Sequence, residues 1–361
     1  MPRKPIIIMA GGTGGHIYPA LAVAKYLLQK EVPLLWLGTT KGLEANIVPA
    51  NGIRLLTISI SGIRGKGIIK LVIAPFIILY ALIQTIIIFI RNKPAAVLGM
   101  GGFASGPGGI AAWLMRIPLC IHEQNAIAGV TNKILSSLAT FIMTAFPDTF
   151  PGHKKQKVTG NPVRSEILNV GNNPSMTRKR DNSTFHILVL GGSLGSRKLN
   201  ELVPETIDVL AGEVDMEVYH QTGEKHFEAT RQKYSSLNLD VRLSPFISDM
   251  ADAYGWADVV ICRAGAMTIA EIEIVGLASI LVPYPYAVDD HQTANAEYLS
   301  RNGAAIICQE NDLSVEFLTD IIKQLANDNE KLGLMSDRAK SLAKPEAVRE
   351  VADICMEVAY G

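Results

Sequence analysis

Short runs of β-branched and other apolar residues recur along this chain. Between them lie longer stretches in which apolar side chains return every three or four positions. The short runs read as buried strands and the longer stretches as helices. Strands are predicted at 6–10, 34–38, 54–59, 95–99, 118–122 and 140–144, and again at 185–190, 216–220, 239–243, 257–262, 279–283 and 304–308. Strand and helix alternate throughout, so the expected class is α/β, with parallel sheets covered by helices on both faces. A length of 361 residues suits two such domains.

The pattern repeats at half the chain length. "IIIMAGGTGGHIYPALAVAKYLL", Ile6 to Leu28, passes from a strand through a glycine loop into a helix with Pro19 in its first turn. "FHILVLGGSLGSRKLNELVPETI", from Phe185, does the same, and Gly11 and Gly191 stand 180 residues apart. Each half carries a second loop of this kind, "AAVLGMGGFASGPGG" at 95–109 and "ADVVICRAGAMTIAE" at 257–271. Two Rossmann-like domains are therefore expected, joined near 158–167, with the polar stretch 169–183 as a connector. Ligands of such sheets bind beyond the carboxyl ends of the strands, where all four loops fall. Domains facing each other would place the loops around a central cleft.

Backbone N–H groups at the start of a helix favour an anion, usually a phosphate. The first loop nevertheless fits neither familiar nucleotide signature. A dinucleotide fingerprint counted from Gly12 and Gly14 needs glycine at Ile17, and the second strand ends in Gly38-Thr39 rather than in an acid for a ribose. The Gly-Lys-Ser/Thr of phosphate-binding NTPases is absent. Phosphate binding and simple tight packing of strand on helix both stay open for this loop alone.

The net charge of zero conceals an imbalance. Residues 1–163 hold sixteen Lys and Arg against four acids (Glu31, Glu44, Glu123 and Asp148), which leaves eighteen against thirty in the remainder, so the two parts carry +12 and −12. A basic half suits an anionic partner, either nucleic acid or a membrane surface. The four cysteines (Cys120, Cys262, Cys308 and Cys355) are widely spaced, which argues against a disulfide framework or a zinc site and suits a reducing compartment. The apolar run after "MPRKP" is too short for a signal peptide.

"IIKLVIAPFIILYALIQTIIIFIRNK", 68–93, is the most apolar segment, and its 20 residues from Leu71 to Ile90 carry no charge. That length could span a bilayer. Spanning conflicts with topology, because strands before and after the segment should share one sheet. Burial beneath neighbouring helices, or attachment to a lipid surface by one face, are the other readings. Lys70, Arg91 and Lys93 flank the segment, and "SGIRGKG", 61–67, offers Arg64 and Lys66 to lipid phosphates.

Taken in order, "AGGTGGHIYPALAVA", "SGIRGKG", "GMGGFASGPGG", "HEQNAIAGVTNK", "GNPVR", "GGSLGS", "CRAGAMTIAEI" and "VPYPYAVDDHQTANA" strongly resemble the bacterial MurG family. The likeness covers the chain from Pro5 to about Gly303 by motif and continues beyond by layout. Ser196 in place of Ala and Ala264 in place of Ser are small departures. The resemblance implies a GT-B architecture, with an N-terminal domain (1–163) for acceptor lipid and membrane, a C-terminal domain (164–340) for UDP-GlcNAc, and a last helix (341–361) returning to the first domain. It implies an inverting N-acetylglucosaminyltransferase acting on undecaprenyl-pyrophosphoryl-N-acetylmuramoyl-pentapeptide at the cytoplasmic face of the inner membrane. Nucleic acid is not an expected partner, and other cell-wall synthesis proteins are. Two alternatives are a GT-B enzyme with another lipid or small-molecule acceptor, and a non-catalytic nucleotide-sugar sensor.

Such a transfer needs nucleotide recognition, stabilisation of the departing diphosphate and a base for the acceptor hydroxyl. No Asp-x-Asp triplet is present, so no metal or other cofactor is expected. Ser193 with its loop N–H groups, together with Arg164, is expected on the diphosphate. The family likeness places Glu271 on the ribose and Ile247 on uracil, with Ala266, Met267, Thr268, Ile269 and Ala270 lining the pocket. Gln292 and Asn125 offer amides to the sugar, and Thr13, Gly14 and Gly15 are expected to touch it as well. Among seven histidines, His16 is the expected general base, with His122 or Glu123 as the alternative. Gly101, Gly102, Ser105 and Gly106 form an expected cradle for the acceptor diphosphate.

Overall fold

The computed structural model describes residues 3–60, 67–173, 184–192, 195–237 and 239–361, with the side chains of 67–72 left out. Arg64, Lys66, Ser193 and most of the expected connector lie outside the described residues. The chain divides into two compact units, 1–164 with 345–361, and 165–344.

The first unit runs β1 (Ile6–Met9), α1 (Gly14–Gln29), β2 (Leu34–Gly38), α2 (Glu44–Ala50), β3 (Leu55–Thr57), α3 (Gly67–Asn92), β4 (Ala96–Gly99), α4 (Ser105–Leu114), β5 (Leu119–Glu123), α5 (Val130–Ser136), β6 (Phe141–Thr144) and β7 (Gln156–Val158). Its seven strands are all parallel, in the order β3-β2-β1-β4-β5-β6-β7. Successive side chains of β1 go to opposite faces. Ile6 and Ile8 join the core beneath α1, whereas Ile7 and Met9 join the core beneath α3 and α4. Pro19 stands in the second turn of α1, not the first, because the helix already begins at Gly14.

The second unit runs α6 (Ser165–Asn172), β8 (Phe185–Leu190), α7 (Arg197–Leu210), β9 (Met216–Gln221), α8 (Phe227–Ser236), β10 (Arg242–Ser244), α9 (Met250–Trp256), β11 (Val259–Cys262), α10 (Ala266–Val275), β12 (Ala278–Leu281), α11 (His291–Arg301), β13 (Ala305–Ile307), α12 (Val315–Asn327) and α13 (Asn329–Leu342). Its six-stranded parallel sheet is ordered β10-β9-β8-β11-β12-β13. Each sheet thus starts with the 3-2-1-4 order of a doubly wound fold.

The last helix, α14 (Ala347–Tyr360), belongs to the first unit and packs on α1. Val351, Ala352, Ile354 and Cys355 bury against the core that contains Leu21, Ala24 and Leu27. Burial of each larger aliphatic side chain contributes roughly 1.5–3 kcal/mol, so this helix is a structural part of the unit. With Arg164 and 345–361 included, the first unit carries +10 and the second −10.

The apolar segment forms α3, long enough and apolar enough over Ile73–Asn92 to cross a membrane. Its connections say otherwise. It joins β3 to β4, and both strands belong to the same parallel sheet. Full burial is excluded as well. Ala74, Ala81, Thr85 and Phe89 point inward, while Phe76, Leu79, Tyr80, Ile83, Ile87 and Ile90 form an exposed apolar stripe, with Phe76 70% exposed. Trp113 and Leu114 of α4 and Ile134 of α5 are exposed too, on helices that pack in sequence beside α3.

Candidate active site

In each sheet the strand order reverses direction at one point, and the loops on either side of it diverge. In the first unit these are the loops that follow β1 and β4, and in the second unit those that follow β8 and β11. All four are the glycine loops marked in the sequence.

In the first unit, Thr13 has extended backbone, and its carbonyl accepts from the N–H groups of His16 (3.1 Å) and Ile17 (3.3 Å), which starts α1. His16 lies in the first turn and is half-buried. Thr13 and Gly15 beside it are exposed. The loop after β4 packs directly against this turn. A Cβ on Gly101 (φ +94°) would stand 2.6 Å from His16 Nδ1, and one on Gly102 (φ +82°) would stand 2.1 Å from the Gly11 carbonyl oxygen. Both positions therefore demand glycine for conformation and for space. Ser105 is fully buried, and its hydroxyl is shared between the carbonyls of Met9 (2.9 Å) and Gly101 (2.8 Å). These contacts knit the two loops together. In the expected cradle of Gly101, Gly102, Ser105 and Gly106, the Ser105 hydroxyl is thus engaged by main-chain carbonyls, and Ser105 and Gly106 open α4.

The first loop also has its own anion. Glu44, fully buried at the start of α2, accepts from Gly12 N (3.2 Å), Thr39 N (2.9 Å) and Thr39 Oγ1 (2.8 Å). An acid does follow β2, five residues beyond Thr39, but it serves the protein's own loop. The Gly12 N–H is thereby committed, which removes one donor from any phosphate binding at this loop.

The "HEQN" motif ends β5. Glu123 is buried, and its carboxylate accepts from Asn125 N (3.1 Å), Asn125 Nδ2 (3.3 Å), Gly129 N (3.0 Å) and Asn132 Nδ2 (2.9 Å). Both carboxylate oxygens are thus occupied by the protein's own donors. His122 is buried, with Nε2 2.9 Å from the Gly160 carbonyl, and burial lowers its pKa to about 4. Gln124 lies between the histidines. Its Oε1 is 3.2 Å from His16 Nδ1, and its Nε2 is 3.0 Å from the Met100 carbonyl and 3.2 Å from His122 Nδ1. Arg164 belongs to the first unit, with its guanidinium 5.8 Å from the Tyr18 ring centroid.

In the second unit, Ser196 caps α7 by accepting from Leu199 N at 3.4 Å. Gln221, at the end of β9, joins two loops. Its Nε2 donates to the Gly192 carbonyl (3.1 Å), and its Oε1 accepts from Ile247 N (3.0 Å). Behind it, His220 is held between Tyr234 Oη (3.0 Å) and Asn200 Oδ1 (2.9 Å), and Asn200 Nδ2 donates to the Thr222 carbonyl (3.0 Å). Burial lowers the His220 pKa to about 3, so the network is neutral.

The loop after β11 is fixed by Arg263, which donates to the carbonyls of Val282 (3.1 Å) and Pro283 (3.2 Å) and pairs with Glu310. Along α10, Met267 and Thr268 are partly exposed, whereas Ala266, Ile269, Ala270 and Glu271 are buried. The side chains of Ile269 and Ala270 are buried, so of these two only the backbone is left to border a ligand. Glu271 sits in the second turn, and its Oε2 accepts from Tyr254 Oη at 3.0 Å. Gln292 accepts from Tyr284 N through Oε1 at 2.9 Å, which directs its amide N–H groups away from that bond.

Sequence reasoning passed over Glu44, Gln124 and Gln221. Glu44 carried a signal as one of four acids in a basic half. Gln124 was visible only as a letter of its motif, because its partners lie on three separate segments.

Residues 6–144 match the glycosyltransferase family 28 N-terminal domain, and residues 186–351 match the C-terminal domain of that family. A UDP-N-acetylglucosamine--N-acetylmuramyl-(pentapeptide) pyrophosphoryl-undecaprenol N-acetylglucosamine transferase of Pseudomonas fluorescens is 45% identical over 356 residues, covering 99% of each chain. The protein of that name from Nitrosococcus oceani is 48% identical, again over 99% of both chains. The crystal structure of Acinetobacter baumannii MurG superposes with a TM-score of 0.83 at 41% identity, covering 98% of this chain and 99% of that one. With two doubly wound parallel sheets and full-length likeness at this level, the chain belongs to the MurG family of GT-B glycosyltransferases.

Proposed function

We propose that the chain transfers N-acetylglucosamine from UDP-GlcNAc, with inversion, to the muramoyl sugar of undecaprenyl-pyrophosphoryl-N-acetylmuramoyl-pentapeptide. It is an N-acetylglucosaminyltransferase of peptidoglycan synthesis. The second unit holds the donor. The Ile247 N–H is committed to Gln221, so its carbonyl accepts from N3–H of uracil. Glu271, oriented by Tyr254, accepts from the ribose hydroxyls. Gln292 donates its amide hydrogens to the sugar, and Asn125, Thr13, Gly14 and Gly15 serve the same group. Met267 and Thr268 border the nucleotide with side chains, and Ala266, Ile269 and Ala270 do so only through backbone. The diphosphate is met by Ser193, by Arg164 and by the start of α7, which has no acidic residue in its first turn.

In the reaction the acceptor hydroxyl attacks the anomeric carbon as His16 removes its proton. The bond from that carbon to the diphosphate oxygen breaks, and its electron pair leaves with UDP. One observation carries the assignment. Among the three candidate bases, His122 and Glu123 are buried and held by the protein's own hydrogen bonds, while His16 is a partly exposed residue. Leaving-group stabilisation by helix and cation predicts that turnover persists at its normal rate in EDTA. Loss of turnover that added divalent metal restores would contradict it.

The first unit attaches peripherally to the cytoplasmic face of the membrane. Its exposed stripe on α3, with Trp113 and Ile134 beside it, lies in a unit of net charge +10. Apolar area and attraction to anionic lipid then act together. Replacing Leu79, Ile83 and Ile87 by Glu together is expected to abolish sedimentation with anionic vesicles, because each substitution removes about 1.5–3 kcal/mol of burial and adds repulsion. UDP-GlcNAc affinity should be unchanged. Undiminished vesicle binding would place the contact elsewhere.

A further inference from the structure

We infer that Gln124 is a positioning residue that fixes the proton of His16 on Nδ1 and leaves the Nε2 lone pair available. The inference rests on His16 being the base, but its geometry stands apart from that reading. An amide and two imidazoles can be drawn in several protonation patterns, and ordinarily the choice is an assignment. Here two main-chain carbonyls, which can only accept, remove the choice.

Main-chain carbonyls fix the protons of two members of one chain of hydrogen bonds. The Met100 carbonyl lies 3.0 Å from one terminal atom of the Gln124 side chain, so that atom is the NH2 group and the other is the oxygen. The Gly160 carbonyl lies 2.9 Å from His122 Nε2, so that nitrogen carries the hydrogen of the neutral ring. His122 is neutral because it is buried, with its pKa near 4. Its Nδ1 is therefore an acceptor, and the second Gln124 amide hydrogen, 3.2 Å away, donates to it. With both amide hydrogens placed, Gln124 Oε1 has only acceptor capacity for His16 Nδ1 at 3.2 Å. That nitrogen must be the donor. In the neutral ring Nε2 is then unprotonated, as a general base requires.

The network is also rigid. Gln124 and His122 are buried, and Gly101 closes on the His16 ring from the side, where a Cβ would come within 2.6 Å of Nδ1. Orientation and tautomer are thus set together, the role that a buried carboxylate plays toward the histidine of a catalytic triad. A neutral amide does this without adding charge beside the ring.

The direct test is the 15N spectrum of the full-length protein labelled at histidine, with His16 assigned by its loss in His16→Ala. The expected wild-type signature at pH above the titration of His16 is a protonated Nδ1 and an unprotonated Nε2. A wild-type ring protonated on Nε2 would overturn the inference with no variant needed. Gln124→Met keeps the length of the side chain and removes both functions. It should abolish the Nδ1-protonated preference and lower kcat about 10²-fold, within what one acid–base group contributes, with KM for UDP-GlcNAc unchanged. An unchanged spectrum in a folded Gln124→Met protein would also overturn the inference. A changed tautomer with normal kcat would uphold the positioning role and remove His16 as the base.

Discussion

His16→Ala is expected to reduce kcat by about 10²–10⁴-fold, the range that one positioned acid–base group supplies, while the affinity for UDP-GlcNAc stays near its normal value. The separation follows from location. His16 sits on the first turn of α1 in the first unit, and the groups assigned to the nucleotide (Ile247, Glu271 and Gln292) all lie in the second. The substitution leaves a helix former in a helix, and although Gln124 Oε1 loses its His16 partner, Gln124 Nε2 stays bonded to Met100 and His122. Single-turnover rates with the lipid acceptor, beside donor titration, measure both quantities. Turnover near the wild-type rate would remove His16 from the chemistry.

Glu271→Ala should weaken UDP-GlcNAc and UDP alike, by about 10–10²-fold. Hydrogen bonds to a charged group contribute about 1.5–3 kcal/mol. Glu271 is buried, and Tyr254 Oη donates to Oε2, so the carboxylate is already aimed before a ligand arrives. Glu271→Gln keeps the shape and should lose less. Calorimetric titration with UDP reads the effect without any acceptor. An affinity for UDP that the Ala substitution does not alter would contradict the ribose assignment.

The strands were legible because parallel strands buried on both faces are written as short apolar runs, and "IIIM" and "FHILVL" leave little choice. β7 escaped notice because "QKV" at the sheet edge has one apolar residue in three. β10 begins at Arg242 rather than 239, at an edge of the six-stranded sheet, where burial again exerts little control over sequence. Segment α3 could not be read from composition, since a helix apolar on all sides gives no sign of which face the protein covers. Only the inward row of Ala74, Ala81, Thr85 and Phe89 decides it.

The site was legible in its loops and less so in its side chains. Glycines announced where strands end and helices start. They did not announce that Gly101 and Gly102 are required by His16 and Gly11 rather than by a ligand. The alternative base, Glu123, looked as plausible as any carboxylate beside a glycine-rich turn until four donors were found on it. Such relations join residues up to 108 positions apart, as His16 and Gln124 are, and no local pattern records them.

The measurement that reaches furthest is product analysis with the purified chain, UDP-GlcNAc and the undecaprenyl-linked muramoyl-pentapeptide, with diacylglycerol as a competing acceptor. The predicted result is UDP together with the muramoyl lipid carrying one β-linked N-acetylglucosamine, and no sugar on diacylglycerol. Transfer to diacylglycerol alone, or donor binding with neither acceptor modified, would contradict it.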